Sequence, residues 1–328
     1  MNTNYGFGEF ASVADLVAKE CLRLKPREEL LLVTDSRASR KLVDAVGFAA
    51  RAAGAIVQEI SYDYTGWGVE PPRCVAAAMA AADVVFSLSQ LCHERAVHQA
   101  RRAGTRVMCA LVSEDTFLRL VPVDYPKMRA TAQSLGRIFA RGRKCRVTCP
   151  LGTDLTLELC DRLPVIVTGT CHEPGTWEFL PPGTVAVAPR EGSARGTVVI
   201  SGSADPLGLL DGPIQGRFEG GYLRSADAIR QGARDASRWW EALSAPRDPN
   251  MFNLAEFGIG INPRARLGGD LGEDERIAGQ VHLGLGNSLA LGGEVEASGH
   301  YDAMVLNPTV TVDGATVVDG GRLVGLEL

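Results

Sequence analysis

The sequence predicts an α/β N-terminal domain with a parallel, doubly wound sheet, followed by a β-rich α+β C-terminal domain that binds a metal. Up to about residue 140, short apolar strands alternate with helical stretches, as in parallel sheets that are covered on both faces. From about residue 143, strands separated by turns rich in Gly and Pro dominate. We therefore predict two domains, an α/β domain over residues 1–142 and a catalytic domain over residues 143–328.

The elements of the first half follow one another in regular alternation. Helical periodicity behind a Ser12 cap predicts a first helix over 12–24, and an apolar run predicts a first strand over 29–35. The other predicted elements are helices over 39–53, 73–82, 94–103 and 126–140 and strands over 55–61, 83–89 and 105–111. No Gly-x-Gly-x-x-Gly follows the first strand, so a dinucleotide site is not supported. Asp35, Tyr62 and Ser89 end strands and can line a cleft.

The second half is predicted to be mostly antiparallel sheet. Strands are expected over 145–149, 154–160, 165–169, 185–188 and 197–201, with one helix over 225–243. The last segment, 300–328, has a hairpin signature at Asp313-Gly314 and again at 319–321.

Composition excludes several classes of partner. The net charge is −5 and no long basic run occurs, which argues against nucleic-acid binding. No apolar run approaches the roughly 20 residues of a membrane helix. The eight cysteines form no Cys-x-x-Cys pair, which favours reduced, cytoplasmic conditions. We expect a small-molecule substrate and a homo-oligomer such as a homodimer, without nucleic-acid or membrane partners.

One stretch near the C-terminus carries metal-binding residue types. Side chains two apart on a strand point to the same face, so His300 and Asp302 can reach one point. His282 lies in a Gly-rich apolar segment upstream, and Glu256 leads an earlier strand of the same kind. Two imidazoles and two carboxylates are typical ligands of zinc, manganese or non-haem iron. The sequence therefore predicts a metal site made of Glu256, His282, His300 and Asp302.

These motifs resemble those of known metalloenzymes. The matching segments are 256–263, Asp274-Glu275, 279–287, Gly292-Gly293, His300-x-Asp302 and Asp313-Gly314. They are similar to the aminopeptidase T family of metallopeptidases, and the same region resembles the 2,5-dihydroxypyridine 5,6-dioxygenases, which are iron enzymes. The 5-nitroanthranilate aminohydrolases are a third relative by fold. The resemblance covers the last half of the chain well and the first half only in layout.

The chain departs from both patterns. The resemblance to the peptidases implies two metals, with a bridging Glu where this chain has Thr184 and a Tyr where it has Leu289. We therefore expect one divalent ion per chain, Zn, Mn or Fe(II). The dioxygenases keep the His-x-Asp pair but have a histidine at the position of Glu256. A Glu-Pro-Gly-x-Trp segment of these relatives is present at 173–177.

The main hypothesis is a mononuclear metal-dependent hydrolase that acts on an amide or amine bond of a small-molecule or aromatic substrate. The metal would lower the pKa of its bound water, and a free carboxylate would accept the proton. The resemblance to the peptidases makes Glu256 and His282 the catalytic candidates, with Glu256 as either ligand or base. Glu275 and Glu294 are weaker candidates, for which surface charge is the simpler interpretation.

Two alternatives stay open. A non-haem iron(II) ring-cleaving dioxygenase of the 2,5-dihydroxypyridine type would use His282, His300 and Asp302 as a triad of two histidines and one carboxylate. A degenerate, non-enzymatic relative would bind a small molecule or another chain. Oxygen uptake with iron would select the dioxygenase, and turnover without oxygen would select the hydrolase.

Overall fold

The computed structural model describes residues 5–326 except 65, 67, 68, 90 and 93. The chain forms two compact units, Met1–Tyr125 with Val167–Pro182, and Pro126–Ile166 with Gly183–Leu328. This division differs from the boundary at residue 142 that the change of texture predicts. The helix before that boundary belongs to the second unit, and a later segment returns to the first.

The described strands are, in chain order, β1 (Glu29–Asp35), β2 (Ile56–Tyr62), β3 (Val84–Ser87), β4 (Arg106–Ala110), β5 (Lys144–Thr148), β6 (Asp154–Glu158), β7 (Val165–Val167), β8 (Trp177–Leu180), β9 (Thr184–Val187), β10 (Arg195–Ile200), β11 (Ser203–Ala204), β12 (Gly208–Leu209), β13 (Ile214–Glu219), β14 (Tyr222–Ala228), β15 (Leu254–Gly260), β16 (Val281–Gly286), β17 (His300–Val305), β18 (Thr309–Val312), β19 (Ala315–Asp319) and β20 (Arg322–Leu323). The helices are α1 (Phe7–Leu16), α2 (Arg40–Ala52), α3 (Arg73–Ala81), α4 (Arg95–Arg102), α5 (Glu114–Leu120), α6 (Tyr125–Arg141), α7 (Asp235–Ser244) and α8 (Leu271–Asp274), with a π-helical turn at Val17–Cys21 and 3₁₀ turns at Pro249–Phe252 and Leu289–Leu291. Among the described residues, no helix is both long and apolar enough to cross a membrane.

The first unit contains the predicted parallel sheet. Its five strands are arranged β2-β1-β3-β4-β8, and every neighbouring pair is parallel. The central strands β3 and β4 are buried throughout, as strands covered by helices must be. At the predicted cleft, Asp35 and Ser89 are buried and Tyr62 is half-buried, and Asp35 forms an ion pair with Arg37.

The second unit contains two large sheets, of which the sheet β12-β11-β17-β16-β15-β9-β7 carries the candidate site. Its central strands β15 and β16 are antiparallel, and β16 is buried along its whole length. The other sheet has the order β14-β13-β10-β6-β5-β18-β19-β20. The Phe139 ring of α6 packs against Phe257 of β15, with ring centroids 5.4 Å apart, and so covers one face of the sheet.

The C-terminal hairpin forms where the sequence predicts it, between β18 and β19. Asp313 and Gly314 both have positive φ, 49° and 86°, as a type I′ turn requires. The predicted helix over 225–243 is wrong in its first part. Residues 222–228 pair with β13, and the helix begins only at Asp235. The local Ser225 cap signal is overridden by the hydrogen-bonded ladder with the neighbouring strand.

The buried carboxyl group of Glu178 stabilises the turn at residues 168–169 in the first unit by accepting hydrogen bonds from its backbone. Glu178 of β8 accepts hydrogen bonds from the backbone N–H groups of Thr168, Gly169 and Phe179 at 3.2, 3.1 and 3.4 Å. Burial raises the pKa of Glu178 to about 7, against these hydrogen bonds, which favour the ionised form. Between the ordinary glutamate pKa of 4.5 and about 7, the folded chain therefore keeps a proton that the unfolded chain releases. Its contribution to stability falls as the pH rises through this window.

We expect Glu178→Gln to remove this pH dependence. Relative to the wild type, the variant should gain stability as the pH rises from 4 to 8, by up to about 3 kcal/mol. Urea unfolding at each pH measures the difference. The exposed Glu241→Gln variant is the control and should show no such trend. The expectation would be contradicted if the difference in unfolding free energy between Glu178→Gln and the wild type did not change with pH.

Candidate metal centre

Three neighbouring strands bring the four predicted residues onto one face of the sheet. Glu256 of β15 lies opposite Gly284 of β16, which in turn lies opposite Asp302 of β17. Two residues from Gly284 in either direction along β16, His282 lies opposite Gly258 of β15, and Gly286 lies opposite His300 of β17. Because side chains alternate between the two faces of a strand, this antiparallel register places all four side chains close together on the same face of the sheet.

Two glycines make room for the imidazole rings. A Cβ at Gly284 would overlap the His300 ring and would stand 2.7 Å from Glu256 Cβ. A Cβ at Gly258 would overlap the His282 ring. The Gly-punctuated pattern of β15 and β16 therefore follows from close approach of side chains and not from backbone strain, because neither glycine has a positive φ.

The polar atoms of the cluster lie within direct reach of one another. Glu256 Oε1 is 3.1 Å from His282 Nε2, and Glu256 Oε2 is 3.0 Å from His300 Nε2. Asp302 Oδ1 is 3.5 Å from the same His300 nitrogen. The His282 side chain is fully buried, whereas 13% of Glu256, 16% of Asp302 and 28% of His300 remain exposed. The cluster can thus be reached from solvent on the His300 side.

The orientation of His300 suits a bound cation. Its Nδ1 is 2.8 Å from the carbonyl oxygen of Asn287, so Nδ1 must donate and the lone pair of the neutral ring lies on Nε2. That lone pair faces one oxygen each of Glu256 and Asp302. Among the described residues, Asp302 Oδ1 is buried without a hydrogen-bond partner. Lone pairs that converge in this way are favourable only with a proton or a metal ion between them, so the residues fit a divalent cation.

The pKa shifts of His300 and Glu256 also indicate that the cluster favours a positive charge between the carboxylates. Burial alone would lower the pKa of His300, but the negative charges of Asp302 and Glu256 raise it well above its ordinary value. Burial alone would raise the pKa of Glu256, but the hydrogen bonds with His282 and His300 lower it well below its ordinary range. The cluster therefore holds Glu256 ionised and stabilises a cation beside His300.

Sequence reasoning missed Asp205, which lies beside the cluster. Its Oδ2 accepts a hydrogen bond from the backbone N–H of Asp302 at 3.3 Å, and its own N–H donates to the Asp302 carbonyl at 2.8 Å. Burial, and then the charge of Asp302, raise the pKa of Asp205 to about 6. No motif marks this residue, because only the pairing of β11 with β17 brings it next to the site.

Two groups of three potential ligand atoms occur around Asp302, each with its atoms within 4.8 Å of one another. One is Glu256, His300 and Asp302; the other is Glu275, His282 and Asp302. The predicted triad of His282, His300 and Asp302 is not among these groups of the described residues. Glu275 forms an ion pair with Arg276, which weakens the second group.

The remaining candidates lie apart from this chemistry. Glu294 is largely exposed and faces Arg162 at 4.0 Å, which agrees with a surface charge. Thr184 is buried and donates to the carbonyl of Ile259 at 3.4 Å, and Leu289 is half exposed. A surface hollow of about 560 Å³ is lined by Asp248, Asn250 and 294–298, and a second by 195–197 and 217–220. The lining of neither includes a residue of the cluster, so the ligand chemistry, and not the size of a hollow, marks the site.

The fold and the cluster together define a two-unit protein with a candidate metal site on one face of a β-sheet. The chain belongs to the 2,5-dihydroxypyridine 5,6-dioxygenase family, whose family model matches residues 14–325. A 2,5-dihydroxypyridine 5,6-dioxygenase of Pseudomonas putida KT2440 is 26% identical over 275 residues, which cover 76% of this chain and 73% of the relative.

The solved structures that share the fold include two that match almost the whole chain. The structure of 2,5-dihydroxypyridine dioxygenase from Pseudomonas putida KT2440 matches with a TM-score of 0.87 at 20% identity, covering 98% of this chain and 99% of that one. Wild-type AmpT from Thermus thermophilus matches with a TM-score of 0.70 at 19% identity, covering 97% of this chain and 99% of that one. At these identities the likeness shows the fold alone.

These findings decide part of what the resemblance implied. The fold that the resemblance to the aminopeptidase T family implies is shared with AmpT from Thermus thermophilus. The distant structural neighbour supports the aminopeptidase-like fold and not the hydrolase activity, whereas the dioxygenase alternative agrees with the family and with the curated relative. The roles of the four cluster residues stay predictions.

Proposed function

We propose that the protein is an oxygen-dependent enzyme that cleaves a dihydroxylated aromatic ring of the 2,5-dihydroxypyridine type with one divalent metal ion. The observation that carries the proposal is the family match over residues 14–325, which includes every strand of the cluster. The convergence of His300, Glu256 and Asp302 on one point supports it, because this donor set suits a cation.

The ion would be held by Glu256, His300 and Asp302. This group is partly exposed, and among the described residues no Lys or Arg forms an ion pair with it, whereas Glu275 of the other group is already paired with Arg276. We therefore propose a single ion per chain, with Fe(II) as the best candidate. Iron held there supplies the one-electron chemistry that reaction with dioxygen needs, which zinc lacks.

The chain's own residues prepare this site. The Asn287 carbonyl fixes the His300 ring so that Nε2 is directed at the two carboxylates. Two hydrogen bonds, from the Asp302 N–H to the Asp205 carboxylate and from the Asp205 N–H to the Asp302 carbonyl, hold the first half of β17 in place. The partial exposure of His300 leaves one side of the cluster open, where a ring hydroxyl of a small substrate can approach.

The set of donors differs from the common iron site. Facial triads of non-haem iron enzymes have two histidines and one carboxylate. Here one imidazole and two carboxylates face the same point, and the second histidine, His282, is hydrogen-bonded to Glu256. An oxygen-rich set favours harder ions, so Mn(II) is expected to compete with Fe(II) more effectively than at a site with two histidines.

Labelled oxygen tests the proposed reaction. With 2,5-dihydroxypyridine and Fe(II)-loaded protein, we expect consumption of dioxygen and a ring-opened product that carries oxygen-18 from labelled dioxygen. The same mixture without oxygen should not turn over. Turnover without oxygen, with oxygen-18 entering from labelled water, would instead establish hydrolysis and overturn the proposal.

A further inference from the structure

We propose that His282 does not bind the metal ion but is a positioning residue that holds Glu256 in place. This inference rests on the proposed metal-dependent function. It assigns different roles to two histidines that lie on the same face of the same sheet.

The first argument concerns the hydrogen atoms. The two rings differ at Nδ1: that of His282 has no hydrogen-bond partner among the described residues, so the neutral His282 ring makes its one hydrogen bond by donating from Nε2 to Glu256 Oε1, 3.1 Å away. The same nitrogen then has no lone pair for a metal. His300 has the opposite arrangement, because its Nδ1 donates to the Asn287 carbonyl and its Nε2 lone pair stays available.

The second argument concerns position. The His282 side chain has no exposed surface, and its ring is packed over Gly258. Among the described residues, its Nδ1 atom is buried without a hydrogen-bond partner. The ring is therefore fixed by packing and by one polar contact, and that contact is with Glu256.

The third argument concerns Glu256 itself. Its two oxygens are divided between the histidines, with Oε1 toward His282 and Oε2 toward His300 at 3.0 Å. A hydrogen bond to Oε1 fixes the rotation of the carboxylate and leaves Oε2 directed at the point shared with Asp302. Outer hydrogen bonds of this kind usually change metal affinity by about 10- to 100-fold.

Pulsed electron paramagnetic resonance with Mn(II) as the probe tests the assignment on the whole chain. The wild type should show nitrogen coupling from one directly bound imidazole. The signal should persist in His282→Leu, whereas His300→Leu should bind close to no Mn(II) and so show no protein-bound signal. Two bound imidazoles in the wild type would overturn the inference, and this measurement requires no variant to fold.

Calorimetric Mn(II) titrations of two variants test the positioning role. His282→Leu should weaken binding about 10- to 100-fold, because Oε1 loses its donor. His282→Gln keeps an N–H donor and should bind within about threefold of the wild type. Equal affinity of the Leu variant and the wild type, or equal losses in the Leu and Gln variants, would overturn the inference.

The outcomes separate this inference from the proposed function. Wild-type protein that binds no Mn(II) overturns both. Protein that binds the ion through two imidazoles and still incorporates oxygen from dioxygen overturns the positioning role alone.

Discussion

Replacing His300 or Asp302 with alanine is expected to abolish retention of the metal and to lower kcat/KM by at least about 10³-fold, or about 4 kcal/mol of transition-state stabilisation. Each residue supplies one of the three converging donors, and the remaining two cannot enclose an ion. The fold should persist, because both side chains lie at the partly exposed end of β17 and the strand's pairing uses only backbone atoms.

Metal analysis after dialysis and steady-state kinetics check this expectation. The wild type should retain close to one equivalent per chain, and both variants close to none, with unchanged circular dichroism. Glu294→Gln is the matched control, because it changes an exposed carboxylate in the segment that leads to β17. Full occupancy and turnover in either alanine variant would show that this stretch is not the site.

The sequence alone predicted the members of the cluster because strand geometry is local. A period of two places His300 and Asp302 on one face, and the Gly-rich pattern of β15 and β16 marks strands on which side chains approach closely. The different contacts that these residues make are not determined by local sequence. Which oxygen of Glu256 faces His282 and which faces His300 depends on the register between strands, which no single segment encodes.

Long-range pairing also explains what was missed. Asp205 reaches Asp302 across 97 positions of sequence, through strand pairing that leaves no motif. The segment 167–182 returns to the first unit because β8 pairs with β4 as a fifth parallel strand. The alternation of helix and strand predicted the parallel sheet. In β8, which joins this sheet after the three intervening strands β5, β6 and β7 of the other sheets, no local pattern indicates the pairing with β4.

Gly284→Ala is expected to disable the site without removing any ligand. The added Cβ would overlap the His300 ring and would crowd Glu256 Cβ, and these neighbours are the two side chains whose donors must converge. Because β16 is buried between β15 and β17, the strand cannot move away, so the imidazole must rotate out of the cluster. We expect metal affinity to fall by about 100-fold and stability by about 1–3 kcal/mol, the usual effect of overpacking.

Calorimetric Mn(II) titration and urea unfolding measure the two effects separately. Gly268→Ala is the matched control, because a Cβ there meets no atom closer than 4.0 Å and the backbone has no positive φ. The control should bind the ion as the wild type does. If Gly284→Ala kept wild-type affinity, the position of the His300 ring over this glycine would not be what binds the metal, and the ligand set would have to be sought in the group around Glu275.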